Sequence, residues 1–177
     1  VHDTGYGADP GIGTKPCKDA LPGVSELMAK EKTKVTLVGV ALAKTGLDFV
    51  YEGSTCAECE NCKVRKVCHN LQPGKKYRVT TVRSNTRHDC PVHHEAVVAV
   101  DVVEAPIVAL ISAGMAIANS KISYEFSCPR TGCRSYRLCR PDGIIEGEKY
   151  VVREVLGNAP EPCERGRPLK LVELRPI

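Results

Sequence analysis

Apolar and polar residues alternate over several short stretches of the chain, and this alternation predicts β-strands. The stretches that alternate in this way, or are rich in Val, Ile, Tyr and Thr, are 76–82 (KYRVTTV), 97–103 (VVAVDVV), 149–155 (KYVVREV) and 169–174 (LKLVEL). Turn-forming residues stand ahead of two of them, at 73–74 and 141–143. Residues 108–120 (VALISAGMAIANS) predict a short helix, although Gly114 disfavours it. We therefore expect a mainly β protein, with an α+β fold as the alternative.

The same order of segments occurs twice along the chain. Each copy has a β-rich segment, a Tyr-Glu pair, a cysteine cluster, two more strands and a late cysteine between them. The spacings agree: Cys62 to Cys68 and Cys133 to Cys139 are both six positions, and Tyr77 to Cys90 and Tyr150 to Cys163 are both thirteen. Repeats of this kind predict a tandem duplication. The repeats are 34–104 and 105–177, arranged as two lobes or as one pseudo-symmetric barrel with cysteine-rich metal loops.

Residues 1–33 are rich in Gly and Pro and show no periodicity, so we expect a flexible leader there. Its cysteine, Cys17, has no neighbouring thiol and is expected to be idle. The longest apolar run is interrupted by Asp101 and is too short for a membrane-spanning helix. The first residues lack the pattern of a signal peptide. These features predict a cytoplasmic protein without a membrane partner.

Cysteines cluster in each repeat, and in a reducing cytoplasm such clusters bind metal more often than they form disulfides. The candidate metal ligands are Cys56, Cys59, Cys62, Cys68 and Cys90 in the first repeat, and Cys128, Cys133, Cys139 and Cys163 in the second. Four thiolates are what a tetrahedral zinc ion or a [4Fe–4S] cluster requires. Disulfides or unligated thiols are the alternative.

The spacing in the first repeat favours iron–sulfur over zinc. The run from Cys56 through Cys59 to Cys62 is C-x2-C-x2-C, which brings three thiolates to one turn, as in cubane ligand loops. We expect one or two [4Fe–4S] clusters, with zinc as the alternative. Cys90 and Cys163 either close their own repeats or exchange between repeats, as in two-cluster ferredoxins. Both assignments are compatible with the spacing.

Histidines surround Cys90 in the segment HDCPVHH, which contains His88, His93 and His94. A mixed Cys/His metal site and a nucleophilic Cys–His pair are both conceivable there. A solvated polar loop is favoured, because no acyl-enzyme motif surrounds the cysteine. His69 is expected to face solvent. No phosphate loop, catalytic triad or paired-carboxylate motif stands out in the sequence, so we expect a protein that is not an enzyme.

The net charge of +4 is unevenly distributed. Between Cys62 and His94 there is one acidic residue, Asp89, and eight basic ones: Lys63, Arg65, Lys66, Lys75, Lys76, Arg78, Arg83 and Arg87. Part of this charge can offset metal-bound thiolates. The surplus suits a nucleic-acid backbone, on whose bases Tyr77 and Tyr136 would stack unless they belong to the core. We predict a protein associated with RNA or the ribosome, or alternatively an electron-transfer protein with a redox protein partner.

The assembled pattern resembles a known archaeal family. The matching motifs are KVTLVG at 34–39, C-x2-C-x5-C at 59–68, PG-x2-YRV at 73–79, HxCP at 88–91, C-x5-C at 133–139, GEKY at 147–150 and the cysteine at 163. They are similar to uncharacterised protein family 0179, over about Lys34 to Ile177. The resemblance implies an archaeal, cytoplasmic protein. It brings no established activity and no accepted catalytic residues.

Overall fold

Two antiparallel sheets of four strands each form the protein in the computed structural model, which describes residues 32–53, 56–83, 86–93 and 96–177. The first sheet contains β1 (Lys34–Gly39), β2 (Asp48–Val50), β3 (Lys76–Val82) and β4 (Val97–Glu104). The second contains β5 (Ile107–Ser112), β6 (Lys121–Ser123), β7 (Lys149–Asn158) and β8 (Leu169–Pro176). The expected mainly β fold is confirmed. The expected leader up to residue 31 lies outside the described residues, as do Cys17 and His94.

The two sheets have the same topology, which a tandem duplication predicts. Their strand orders are β1-β4-β3-β2 and β5-β8-β7-β6. Both sheets also shift register at equivalent points, between Val79 and Thr81 in the first and between Val152 and Glu154 in the second. A shift of this kind marks a β-bulge, which bends a strand and increases its twist. The shared bulge curls each sheet around its own apolar face.

The helical content is small and is concentrated in the cysteine loops. The helices are α1 (Arg65–Cys68) and α2 (Tyr136–Cys139), and 3-10 turns occur at Val40–Leu42, Ala57–Cys59 and Ala113–Met115. The helix predicted over residues 108–120 is wrong. Ile107, Ala109 and Ile111 all enter the second core, a period of two that only a strand provides. The strand ends at Ser112, and the chain then makes a single 3-10 turn.

Each sheet has its own core, centred on an equivalent tyrosine. Tyr77 and Tyr150 are almost completely buried. The Tyr77 hydroxyl accepts a hydrogen bond from the Gln72 amide at 3.0 Å, and the Tyr150 hydroxyl accepts one from the Ile145 amide at 2.8 Å. A buried tyrosine needs such a partner for its polar end. Each tyrosine thereby fixes the chain that leaves its cysteine loop. Tyr77 belongs to the core and is not available to stack on a base.

The halves also meet through a buried charge. The Lys75 side chain lies 3.3 Å from a Glu104 oxygen and 3.2 Å from a Glu148 oxygen, and Gln72 donates a hydrogen bond to Glu148 at 3.2 Å. Lys75 and Glu148 occupy equivalent positions, since each follows the glycine of the turn before its core tyrosine. A lysine that is nearly buried needs such partners. The ion pair therefore connects the two halves at matching loops.

Candidate metal centre

The cysteine loops occupy equivalent places in the fold, since each one joins the second and third strands of its half. The same backbone hydrogen bonds shape both loops. The Arg65 amide donates to the Cys62 carbonyl at 3.1 Å, as the Tyr136 amide does to the Cys133 carbonyl at 2.9 Å. Helix α1 packs against β1, and α2 packs against β5. Each loop contains a single helical turn, which ends on Cys68 or Cys139.

The first cysteine cluster consists of Cys59, Cys62, Cys68 and Cys90. Burial raises the pKa of the Cys68 thiol to about 11, and the negative charges of Cys90, Cys59 and Cys62 add to the increase. Because the Coulomb interaction falls with distance, these three thiols are electrostatic neighbours of Cys68. Cys90 comes from a different loop, between β3 and β4. The fold therefore brings a remote cysteine to the loop that carries the other three.

The second cysteine cluster consists of Cys128, Cys133, Cys139 and Cys163, and it repeats this arrangement. Burial raises the pKa of Cys139, and the charges of Cys163, Cys133 and Cys128 raise it further. Cys163, like Cys90, comes from the loop between the last two strands of its half. Cys90 and Cys163 are therefore each close to the cysteines of their own repeat.

Hydrogen-bond donors lie beside two partly exposed thiols of the second cysteine cluster, Cys128 and Cys163. The backbone amides of Arg165 and Arg167 lower the pKa of Cys163, and the amide of Arg130 lowers that of Cys128. Bonds of this kind favour the deprotonated thiolate, which is the form that binds metal. The Arg167 Nε atom is buried without a hydrogen-bond partner in the described residues. The surroundings of this cluster therefore suit an anionic group.

A cavity of about 250 Å³ adjoins the first cysteine cluster. Its lining includes Cys59, Cys68 and Cys90 from that cluster, and also Cys56. The Cys56 thiol donates a hydrogen bond to the Glu58 carboxylate, and this bond raises the pKa of Cys56. Apolar side chains from β1 and β2 form much of the remaining wall. The first half therefore presents five thiols, one more than the second half.

Two histidines line the same cavity, and both have specific contacts. His93 Nδ1 lies 3.4 Å from the Cys90 sulfur, and its ring lies over Gly39, where an added Cβ would be 2.6 Å from the ring. The hydroxyl of Tyr51 lies 2.9 Å from His69 Nδ1. Both histidines are partly buried, so the expectation that His69 simply faces solvent is wrong. His88 forms an isolated backbone bridge with Val97. Gly39, which precedes the first 3-10 turn, is the one residue whose type could have indicated from the sequence that a side chain packs closely there.

The thiols of each cluster lie near one another, but their sulfur atoms are not placed to bind one shared metal ion. Within residues 32–53, 56–83, 86–93 and 96–177, no group of three or more His, Cys, Asp or Glu side chains is arranged to hold a metal ion. Metal–sulfur bonds are short, about 2.3 Å for zinc, so the side chains would have to rotate inward to reach a shared ion. The present arrangement shows proximity within each cluster and does not itself form a coordination shell.

The eight candidate nucleic-acid contacts separate into two groups. Four are paired with acids: Lys75 as described, Lys76 and Arg78 with Asp48 at 3.1 and 2.6 Å, and Arg83 with Asp101 at 2.9 Å. The other four, Lys63, Arg65, Lys66 and Arg87, are exposed. The sequence count missed the pairing because the acids come from distant strands. Tyr136 packs edge-on against Phe126. Three of these four exposed cations, Lys63, Arg65 and Lys66, lie on the first cysteine loop.

No helix in the part of the chain that the structure describes is long and apolar enough to cross a membrane.

Comparison with known proteins identifies the family of the chain. Residues 34–174 match the uncharacterised protein family UPF0179. A UPF0179 protein of Methanoregula boonei is 64% identical over 149 residues, which cover 84% of this chain and 99% of that protein. One from Methanosphaerula palustris is 57% identical over 150 residues, 85% of this chain and 100% of that protein. A UPF0179 protein of Archaeoglobus fulgidus is 42% identical over 150 residues, 84% and 97% of the two chains. No solved structure matches.

Proposed function

The chain belongs to the uncharacterised protein family UPF0179, and we propose that it binds one cysteine-ligated metal centre in each half. The ligands would be the four thiols of the first cysteine cluster and the four thiols of the second. The observation that carries the proposal is the convergence of four thiols, from two loops, in the same place in both halves. A duplicated fold that keeps such a set twice is expected to use it twice.

The donor set fits either of two metals. Four thiolates satisfy a structural zinc ion or a [4Fe–4S] cluster. We favour iron–sulfur because Cys59 and Cys62, two of the proposed ligands, are closely spaced, and because hydrogen bonds from backbone amides lower the pKa of Cys128 and Cys163. Hydrogen bonds to the sulfurs are among the features that tune such clusters. The proposed role is non-enzymatic, in the cytoplasm, with the metals stabilising the cysteine loops.

Anaerobic purification, followed by metal and sulfide analysis and an absorption spectrum, tests this proposal. We expect iron, acid-labile sulfide and a broad band near ~400 nm, the signature of thiolate-bound clusters. A colourless protein with two zinc ions per chain would keep the sites and change the metal. Protein prepared without oxygen that contains neither metal would contradict the proposal.

We further propose that the partner is RNA, either alone or in the ribosome. The supporting observation is the group of exposed cations, Lys63, Arg65 and Lys66, on the loop of the first cysteine cluster. A metal that fixed this loop would present the three charges together. Charges held together on one surface suit a phosphate backbone, where affinity comes from the release of counterions.

Measuring affinity for single-stranded RNA at several salt concentrations tests the partner. Binding should weaken as salt rises, with a log–log slope of roughly −0.7 for each phosphate contacted. Replacing Lys63, Arg65 and Lys66 together with Gln should make that slope shallower by about two, because up to three contacts are lost. Arg83→Gln is the matched control, since Arg83 is already paired with Asp101. Undetectable RNA affinity at low salt, together with reversible redox cycling, would favour electron transfer to a redox protein partner instead.

A further inference from the structure

We infer that Tyr51 and Tyr124 are positioning residues, which hold the last cysteine of each loop, Cys68 or Cys139, in place for its metal. This inference rests on the proposed function, and it gives a role to the Tyr-Glu pair that precedes each cysteine cluster in the sequence. Neither tyrosine is a metal ligand. Each acts through a hydrogen bond of its hydroxyl that attaches the cysteine loop to the sheet, so that the ligand is in place before the metal arrives.

The two tyrosines occupy the same place in the fold, immediately after the second strand of each half. The Tyr51 amide donates a hydrogen bond to the Lys75 carbonyl at 3.0 Å, and the Tyr51 carbonyl accepts one from the Gly74 amide at 2.7 Å. Tyr124 makes the same two bonds to the corresponding turn of the second half, at 3.0 and 2.8 Å. Each tyrosine is therefore fixed by its backbone to the turn that begins the third strand.

In the second half, the tyrosine bonds to the backbone of the cysteine itself. The Tyr124 hydroxyl donates a hydrogen bond to the Cys139 carbonyl. Cys139 ends α2, and the last carbonyls of a helix have no partner within it. The Tyr124 ring is only 4% exposed and packs edge-on against Tyr150, with the ring centroids 6.3 Å apart. A ring held in the core thus points its hydroxyl at the backbone of a proposed ligand.

In the first half, the tyrosine bonds to the residue that follows the cysteine. The Tyr51 hydroxyl lies 2.9 Å from Nδ1 of His69, which comes directly after Cys68. The His69 amide in turn donates to the Arg65 carbonyl at 2.8 Å, so His69 is attached to the end of α1. This loop is two residues longer, with 17 positions from Tyr51 to Cys68 against 15 in the second half. The side chain of His69 therefore takes the place that the cysteine carbonyl has in the second half.

These hydrogen bonds matter because the sulfur atoms must still turn inward to share a metal. With the end of the loop attached to the sheet, that movement involves the cysteine side chain and leaves the backbone in place. Binding to a loop that is already ordered costs less conformational entropy than binding to a free one. Loss of an outer contact that orients a ligand typically weakens metal binding by about 10- to 100-fold.

The zinc affinity of each centre, measured in the full-length chain by competition with a chromogenic chelator, tests the inference. Cys139→Ser leaves the first centre to be measured alone, and Cys68→Ser leaves the second. In these backgrounds, Tyr51→Phe should weaken the first centre by about tenfold or more, and Tyr124→Phe should do the same to the second. Each substitution should leave the other centre unchanged, because phenylalanine keeps the ring and removes only the hydroxyl.

His69 provides a matched pair of variants for the first centre. His69→Ala should weaken zinc binding as much as Tyr51→Phe, and the double variant should be no weaker, because both substitutions remove one hydrogen bond. His69→Asn keeps an acceptor for the tyrosine hydroxyl and should restore most of the affinity. Arg140→Ala is the control, since Arg140 follows Cys139 but the Tyr124 hydroxyl bonds to the cysteine carbonyl instead. It should leave the second centre unchanged.

The outcomes separate this inference from the proposed function. If the wild-type chain binds neither zinc nor iron, the proposed function fails and the positioning role fails with it. If both centres bind zinc and both Tyr→Phe variants keep the wild-type affinity, only the positioning role is overturned. An equal loss from both centres in either variant would indicate a general loss of stability and would also overturn it. Should Tyr124→Phe fold poorly, His69→Ala and His69→Asn decide the matter: equal affinities in these two variants contradict the inference.

Discussion

Single residues determine how closely the two halves approach one another. Gly143, in the turn before β7, has a φ of +86°, which disfavours any residue with a side chain. A Cβ built there would lie 2.3 Å from the Lys76 Cβ and 3.0 Å from its backbone nitrogen. Lys76 begins β3 in the other half. Gly143 is therefore needed both for its conformation and for the space that it leaves.

The first prediction concerns this glycine. Gly143→Ala should destabilise the protein by roughly 2–4 kcal/mol, because it combines backbone strain with a clash against backbone atoms. Gly114→Ala is the matched control, since Gly114 has open space around its Cα and lies outside the left-handed region. The control should be neutral or slightly stabilising. Chemical denaturation measures both, and equal stabilities for the two variants would contradict the described packing.

The sequence could not reveal which residues from distant segments would become ion-pair or packing partners of an individual residue. The eight basic residues were visible as a run, but the acids that neutralise half of them come from other strands and, for Lys75, from the other half. The contact between His93 and Gly39 depends in the same way on two loops that meet only in the fold. Thiol clustering was predictable because the cysteines of each loop are close in sequence, and only Cys90 and Cys163 needed the fold to bring them in.

Among the elements, strands were predicted best. Residues 76–82 form β3 as predicted, and the other three predicted strands differ only by extra residues at their carboxyl ends. Alternation works here because one face of each sheet covers a core and the other faces solvent. The helix predicted at 108–120 failed because a short apolar run fits a helix and a buried strand equally well. In the folded protein this segment forms β5, because its alternate side chains pack into the second core.

The second prediction concerns the attachment of the short edge strand β2. Asp48 on β2 stands opposite Arg78 on β3, and the hydrogen bond from Arg78, followed by the contact with Lys76, lowers the pKa of Asp48. A lowered pKa in the folded state means that the charged carboxylate stabilises the protein above pH ~4, and that this contribution is lost as the pH falls through the folded pKa.

Asp48→Asn should therefore cost about 1 kcal/mol in unfolding free energy near pH 7. The difference between variant and wild type should shrink as the pH drops below ~4, where the unfolded carboxylate takes up a proton, and should vanish once the folded one is protonated too. Asp142→Asn, at an exposed turn, is the control and should have little effect at either pH. Urea denaturation at several pH values gives the comparison. A difference that stays constant from pH 7 to pH 2 would contradict the ion pair.

At the scale of the whole molecule, duplication explains most of the architecture. Both halves have the same strand order, the same bulge, an equivalent core tyrosine and a four-thiol cluster. The equal spacings in the sequence predicted this repetition, but they could not choose between local and exchanged cysteines. That choice depends on where the last loop of each half lies relative to its own sheet. The two halves then differ in their details, since the first has a fifth thiol and two cavity-lining histidines.

The metal content of cysteine variants tests the central claim most directly. Anaerobically prepared Cys68→Ser and Cys139→Ser should each retain about half of the wild-type metal, and the double variant should retain none, because each cluster serves one centre. Cys56→Ser is the control and should keep the full complement. The account would be contradicted if the wild-type chain bound no metal. A Cys68→Ser or Cys139→Ser variant that kept all of its metal would contradict it equally.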